Sequence, residues 1–260
     1  MKHILKVVGV AVLAAVLIAA LGGCAPADEE VTLNLSVAAS LTDAMEEIAE
    51  LYKEEQPGVT IEFNFASSGD LQTQIEQGAP TEIFMSAASK QMNELEEQEL
   101  LLEGTRVDLL LNELVLVVPK GSTGISEFED LAKEEVKLIA IGDPESVPAG
   151  KYAQEALTTL DLWEQLKSEN KLMEGKDVRQ VLAHVETDEV QAGLVYRTDA
   201  LISDKVEIAA VAPEGSHDPV TYPVAVIRES AHPEEAKALM EFLAGDEAKE
   251  IFEKYGFKVL

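Results

Sequence analysis

Ala38-Ala39-Ser40-Leu41-Thr42-Asp43 and Phe65-Ala66-Ser67-Ser68-Gly69-Asp70 decide how this chain folds. The first stretch follows the alternating apolar residues Leu33, Leu35 and Val37, and the second follows Val59, Ile61, Phe63 and Phe65. Alternation with period two predicts a strand. Beyond each junction the period changes: Leu41, Met45, Ile48 and Tyr52 recur at helical spacing, as do Leu71 and Ile75. Twice, therefore, a strand ends, a serine turns the corner and a helix begins. Free N–H groups and the positive end of the dipole make such helix starts ready anion sites. Taken alone, each serine reads first as an N-cap, Ser40 with Asp43 and Ser67 or Ser68 with Asp70. A cap and an anion use the same donors, so the pattern does not separate them.

Working outward, the same grammar repeats. Pro57-Gly58 closes the first helix and Gly78-Ala79-Pro80 the second, residues 82–87 read as a short strand, and residues 91–102 as an acidic helix. The continuous apolar run 114–118 predicts a strand buried on both faces. Residues 138–141 form another strand, 142–150 a long turn, and a helix is expected from about Lys151. A helix follows Asp177, strands are expected at 193–196, 206–211 and 220–227, and helices near 233–243 and 246–255. This alternation predicts an α/β chain in two lobes, crossing near residues 112–118 and again near 219–224. Residues 31–112 with 224–260 are expected to form the first lobe and 113–223 the second.

The chain has 260 residues, 49 acidic and 20 basic, for a formal charge of −29. Lys2 and Lys6 precede the apolar residues 7–21, and Leu21-Gly22-Gly23-Cys24 follows, the pattern of a signal peptide over residues 1–23. The apolar run is shorter than the roughly 20 residues a membrane-spanning helix needs. Cys24, the single cysteine, stands where a bacterial lipoprotein signal places the lipidated residue, and residues 24–30 read as a tether. Cleavage removes two lysines and no acid, which leaves 237 residues at −31. One cysteine allows no internal disulfide, so packing alone must stabilise the fold. Such acidity argues against nucleic acid and anionic membrane surfaces as partners.

Several enzyme classes find no support. The chain has no G-x-S-x-G elbow, no G-x-x-x-x-G-K-[ST] and no G-x-G-x-x-G after a strand. Gly121-Ser122-Thr123-Gly124 lacks the lysine of a phosphate loop and reads as a plain loop. His184, His217 and His232 stand apart, without metal-ligand spacing; His184 reads as structural and His217 as a loop residue. No nucleophile or acid–base pair is visible.

Ala38-Ala39-Ser40-Leu41-Thr42-Asp43-Ala44-Met45, Phe65-Ala66-Ser67-Ser68 and Gly78-Ala79-Pro80 resemble the molybdate-binding proteins of bacterial ABC importers. So do Gly142-Asp143-Pro144-Glu145-Ser146-Val147-Pro148-Ala149-Gly150, Asp177-Val178-Arg179, Gly193-Leu194-Val195-Tyr196, Tyr222-Pro223-Val224-Ala225 and Ile251-Phe252-Glu253-Lys254-Tyr255-Gly256-Phe257. The likeness runs from Val31 onward in the same order. It implies a two-lobed periplasmic-binding-protein-like fold, each lobe a mixed sheet flanked by helices, with a ligand cleft between the lobes. It further implies that Ser40 and Ser68 hold an oxyanion through hydroxyls and N–H groups. The N–H groups of Ala149 and Val178 and the Tyr196 hydroxyl complete the set. The implied ligand is molybdate or tungstate with no resident cofactor; the implied partner is an ABC permease. The protein is expected to be a monomer, held at the outer face of the cell membrane by lipid on Cys24. Sulfate or another tetrahedral oxyanion is the alternative ligand, a sensing role the alternative to transport, and an enzyme on the same fold the remaining alternative. The chain departs from the family pattern at Gly69-Asp70. Gly69 is expected to free the turn, and Asp70 to point outward in the first turn of its helix, where negative charge is favourable.

Overall fold

The computed structural model describes residues 30–260, so the expected signal peptide, Cys24 and most of the tether lie outside the described residues. The chain begins with β1 (Val31–Ala38), α1 (Thr42–Glu55), β2 (Val59–Ala66), α2 (Ser68–Glu76), β3 (Ile83–Met85), α3 (Ser89–Glu97) and β4 (Val107–Asn112). It continues through β5 (Leu114–Pro119), β6 (Ile139–Gly142), α4 (Pro148–Thr159), α5 (Trp163–Ser168), β7 (Leu172–Gly175), α6 (Val178–Glu186), β8 (Ala192–Tyr196), α7 (Arg197–Leu201) and β9 (Val206–Val211). The last elements are β10 (Val220–Val226), α8 (Pro233–Leu243), α9 (Asp246–Lys254) and β11 (Lys258–Val259). Short 3-10 turns lie at Ala39–Leu41 and Phe128–Ala132.

Two mixed sheets result, as the α/β reading predicts. The first has the order β11-β4-β10-β3-β1-β2 and the second β7-β6-β8-β5-β9. β1 runs parallel to β3, and β6 runs parallel to β7 and β8, so these strands end at helix starts. The chain leaves the first sheet through Glu113 and re-enters it at Val220, where β10 runs antiparallel to β3 and β4. This corrects the expected boundary at 223/224. Val220 pairs with Asn112 and Tyr222 with Leu110, so residues 220–223 belong to the first sheet. A hydrogen-bonded strand stays whole, and Pro223, which has no N–H to donate, is absorbed by a register shift at Tyr222/Pro223.

Other local expectations shift for equally local reasons. The acidic helix ends at Glu97; Glu99 takes a left-handed φ of 57°, and Leu101 bridges to Ile227. α4 opens at Pro148 rather than Lys151, because proline at the first helical position loses only an N–H that would go unpaired anyway. β7, β11, α5 and α7 are too short or too polar to stand out by periodicity.

Packing follows the helical stripes. Leu71 and Ile75 on α2 meet Phe84 on β3, Met92 and Leu95 on α3, and Ala225 on β10 in one buried cluster. Burying each large side chain contributes about 1.5–3 kcal/mol. The tightest approach lies beside the cleft, where a Cβ on Gly150 would sit 2.1 Å from the Gly142 carbonyl oxygen. Both neighbours there are backbone, so the clash has no cheap relief. Gly150→Ala is expected to destabilise the fold by about 1–3 kcal/mol; an unchanged urea midpoint would show that α4 can slide away from β6.

Candidate functional site

The strand ends and helix starts meet at one small cavity of about 210 Å³. From the first sheet come Ala38, Ser40, Ala66, Ser67, Ser68 and Ala87. From the second come Val147, Pro148, Ala149, Asp177, Val178 and Tyr196. Ser40, Ser68, Ala149, Val178 and Tyr196 are thus brought together, and all five are buried. The cavity lies off the carboxyl ends of β1, β3, β6, β7 and β8, the edge at which α/β sheets present helix N-termini.

Donors dominate the lining. Ser67 is the cap of α2, its Oγ accepting from the Asp70 N–H at 3.1 Å. Ser68 is therefore free of capping, and its Oγ accepts from the Ala87 N–H at 2.9 Å. An oxygen that accepts there keeps its own proton to give elsewhere. Ser40 caps nothing; its Oγ lies 2.9 Å from Tyr222 Oη. α4 has no side-chain cap, and the first-turn N–H groups of Ala149 and Val178 lack intrahelical acceptors by position. The Tyr196 hydroxyl is buried and has no partner among the described residues. Leaving such a group unpaired costs about 1–3 kcal/mol, which marks it as a group that meets an acceptor on a ligand. Burial first, then nearby phenols and Asp199, push Tyr196 well above its ordinary titration range, so it remains a neutral donor.

One charged side chain lines the cavity. Asp177 is the one carboxylate in the lining, and its Oδ1 accepts from the Gln180 N–H of its own helix at 2.8 Å. Asp70 is exposed in the first turn of α2 and forms no part of the lining, as expected. The expected reason for Gly69 was turn freedom, and the structure gives a different one. Its φ is ordinary; its N–H donates to the Ser146 carbonyl at 3.0 Å, and a Cβ would meet that oxygen at 2.5 Å. Glycine is needed so that the Ser68 turn can touch the Ser146 turn across the cavity.

Arg179 is a residue the sequence reading left without a role. A cation in the first turn of α6 opposes the helix dipole, so tertiary contacts must hold it. Its Nη2 donates to Asp43 Oδ2 at 2.6 Å and to the Ser40 carbonyl at 3.4 Å, and its Nε to the Ala39 carbonyl at 3.2 Å. Nε also lies 2.9 Å from Asp199 Oδ1. These contacts clamp the start of α6 to the Ser40 turn. Burial pushes the fully enclosed Asp199 carboxyl up to about 6; Arg179 and the Tyr196 N–H pull it down, while Asp43 and Asp177 push it up. A folded value above the unfolded one gives stability that is complete below the unfolded pKa and lost as pH rises through about 6. Relative to Asp199→Asn, the unsubstituted protein should therefore gain about 2–3 kcal/mol of unfolding free energy between about pH 7 and about pH 4. Urea unfolding of both forms across that window checks this; parallel pH profiles would remove Asp199 as the titrating group.

Comparison with known proteins agrees with this architecture. The sequence profile of the bacterial extracellular solute-binding proteins matches residues 33–258. A Bacillus subtilis lipoprotein, provisionally named as an ABC-transporter substrate-binding protein, is 47% identical over 231 residues, 88% of this chain and 87% of its own. The molybdate-binding protein of Haemophilus influenzae is 41% identical over 247 residues, 94% of this chain and 95% of its own. Among solved structures, the substrate-binding domain of a provisionally named molybdenum ABC transporter from Clostridium difficile superposes with a TM-score of 0.69 at 45% identity. That alignment covers 88% of this chain and 99% of the other. With two mixed sheets, a small cavity between their helix starts and similarity along nearly its whole described length, the chain belongs to the bacterial extracellular solute-binding proteins.

Proposed function

We propose that this protein captures molybdate, and tungstate with it, and delivers the anion to an ABC permease. The observation that carries the reading is the buried, unpartnered Tyr196 hydroxyl beside Ser40, Ser68, Ala149 and Val178 in a cavity whose polar groups donate. Relatives named for molybdate supply the identity of the anion. In this reading the Ser40 and Ser68 hydroxyls and N–H groups hold it from one side. The Ala149 and Val178 N–H groups and the Tyr196 hydroxyl hold it from the other.

The energetics suit a fully ionised tetrahedral dianion, which offers only acceptors. Hydrogen bonds to a charged group contribute about 1.5–3 kcal/mol each, and helix dipoles up to about 2 kcal/mol. Several of them match in scale the roughly −8 to −12 kcal/mol of micromolar to nanomolar binding. Phosphate near neutral pH brings a proton, and the one carboxylate of the lining, Asp177, already accepts from its own helix start; a proton left without an acceptor costs about 1–3 kcal/mol. The net charge of −29 opposes capture only weakly, because charges more than about 8 Å away are screened. The anion is cargo, no resident cofactor takes part, and the protein works as a monomer. Closure of the two sides around it is the signal a permease reads. Removal of residues 1–23 and lipid on Cys24 would keep the protein at the outer membrane face.

Calorimetry with molybdate, tungstate, sulfate and phosphate tests this reading. Tight binding of the first two with far weaker binding of the others is expected, and sulfate binding equal to molybdate would defeat it. Tyr196→Phe should weaken molybdate binding by about 1.5–3 kcal/mol and leave the unfolding of the empty protein unchanged or slightly later, since the hydroxyl has no partner among the described residues. Ser68→Ala should weaken binding by about 1–3 kcal/mol and also lower stability, because it orphans the Ala87 N–H. Unchanged affinity in either variant would take that residue out of the site.

A further inference from the structure

Asn112 and Tyr222 lie outside the cavity lining, yet Asn112 bonds Tyr222 and Tyr222 bonds Ser40, which lies in it. We infer that Asn112 and Tyr222 form a one-way hydrogen-bond relay that holds Ser40 as a pure donor toward the cavity, and so set discrimination between fully ionised and protonated oxyanions. The inference rests on the oxyanion reading above and adds two positioning residues to it.

The direction of the relay follows from counting hydrogens. The Glu113 N–H donates to Asn112 Oδ1 at 2.9 Å, which fixes the amide orientation. Nδ2 then has two hydrogens and two acceptors, Thr198 Oγ1 at 2.9 Å and Tyr222 Oη at 3.1 Å. Tyr222 is buried, and its hydroxyl contacts only Asn112 and Ser40 among the described residues. Having accepted from Asn112, it gives its single proton to Ser40 Oγ at 2.9 Å. Ser40 Oγ, in turn an acceptor, directs its proton away from Tyr222. The reverse order would make Tyr222 Oη accept twice and leave its own proton buried and unpaired. This arrangement uses every hydrogen of the Asn112 amide and the Tyr222 hydroxyl and leaves the Ser40 proton for the ligand, a hydrogen where a lone pair would suit a protonated anion.

The relay is also placed where it can be held rigid. Asn112 ends β4 just before the chain crosses to the second sheet, and Tyr222 stands at the register shift of the returning strand β10. Thr198, on α7, ties the Asn112 amide to the second sheet's side. Bulges beside functional sites commonly re-aim a side chain, and here the shift follows Tyr222.

Two variants test the relay against molybdate and inorganic phosphate at mildly alkaline pH, where phosphate is a singly protonated dianion. Tyr222→Phe keeps the ring contacts with Tyr196 and Phe257 and so is expected to fold. It should weaken molybdate about tenfold and phosphate much less. Asn112→Asp puts an acceptor in place of the donor, so Tyr222 turns its proton toward position 112 and Ser40 shows a lone pair. The added charge repels both dianions alike, and the molybdate-to-phosphate affinity ratio, read by calorimetry and competition, should fall about tenfold or more. A merely structural role would weaken both anions together, so an unchanged ratio in both variants overturns the relay. If the unsubstituted protein binds no oxyanion at all, the oxyanion reading falls first and the relay with it.

Discussion

A buried hydroxyl with no acceptor among the described residues is the constraint around which this molecule is arranged. The Tyr196 phenol is surrounded by apolar and aromatic neighbours, and burial forbids it to ionise. It stays neutral and keeps a proton to give. The same holds, by helix position, for the N–H groups of Ala149 and Val178. Bringing such donors together without a ligand is unfavourable, so the protein must hold the geometry by other contacts. The Gly69–Ser146 backbone contact and the Arg179 clamp provide it. Small residues make the approach possible. Ala38, Ala66, Ala87 and Ala149 let the backbone itself form the walls.

Charge is managed by placement rather than by amount. The chain carries forty-nine acids, yet among the described residues only Asp177 brings a carboxylate to the cavity lining. Asp177 is occupied by its own helix start, Asp70 lies outside, and Asp43 and Asp199 bracket Arg179. Arg179 is thus neutralised where it stands. It fastens one side to the other and adds no strong field to the cavity. An anion held by oriented neutral donors is sensitive to their direction, which is where the Asn112–Tyr222–Ser40 chain acts. Net charge, by contrast, acts through solvent and salt and fades within about a Debye length.

Much of this was legible in order along the chain. Period-two runs followed by helical spacing located β1, β2 and the helices after them, and the serines marked the corners. Which serine caps and which faces the cavity was not legible, because Ser67 and Ser68 are both chemically able to accept from Asp70. Arg179 left one readable trace, a cation at the wrong end of a helix dipole. Tyr222 stood only within a motif of the resemblance, and Asn112 and Asp199 left no trace, since their roles depend on neighbours 80 or more residues away or on burial that no local pattern encodes. The boundary at Val220 was misplaced for a related reason: the strand's continuity is visible, but the sheet it joins is decided by its pairing with β4.

The candidate donors Ser40, Ser68, Ala149, Val178 and Tyr196 came as a set only from the family resemblance; by itself, the amino-acid sequence determined the alternation of strands and helices and the small residues at the helix starts. These are local properties of periodicity and side-chain size. Only the tertiary structure decided that the five share one cavity, that Asp70 turns out of it, and that Gly69 is required for contact across it. The direction of the Ser40 proton belongs to the same class. A hydroxyl can donate or accept, and the choice is made by partners that folding alone brings within hydrogen-bond reach.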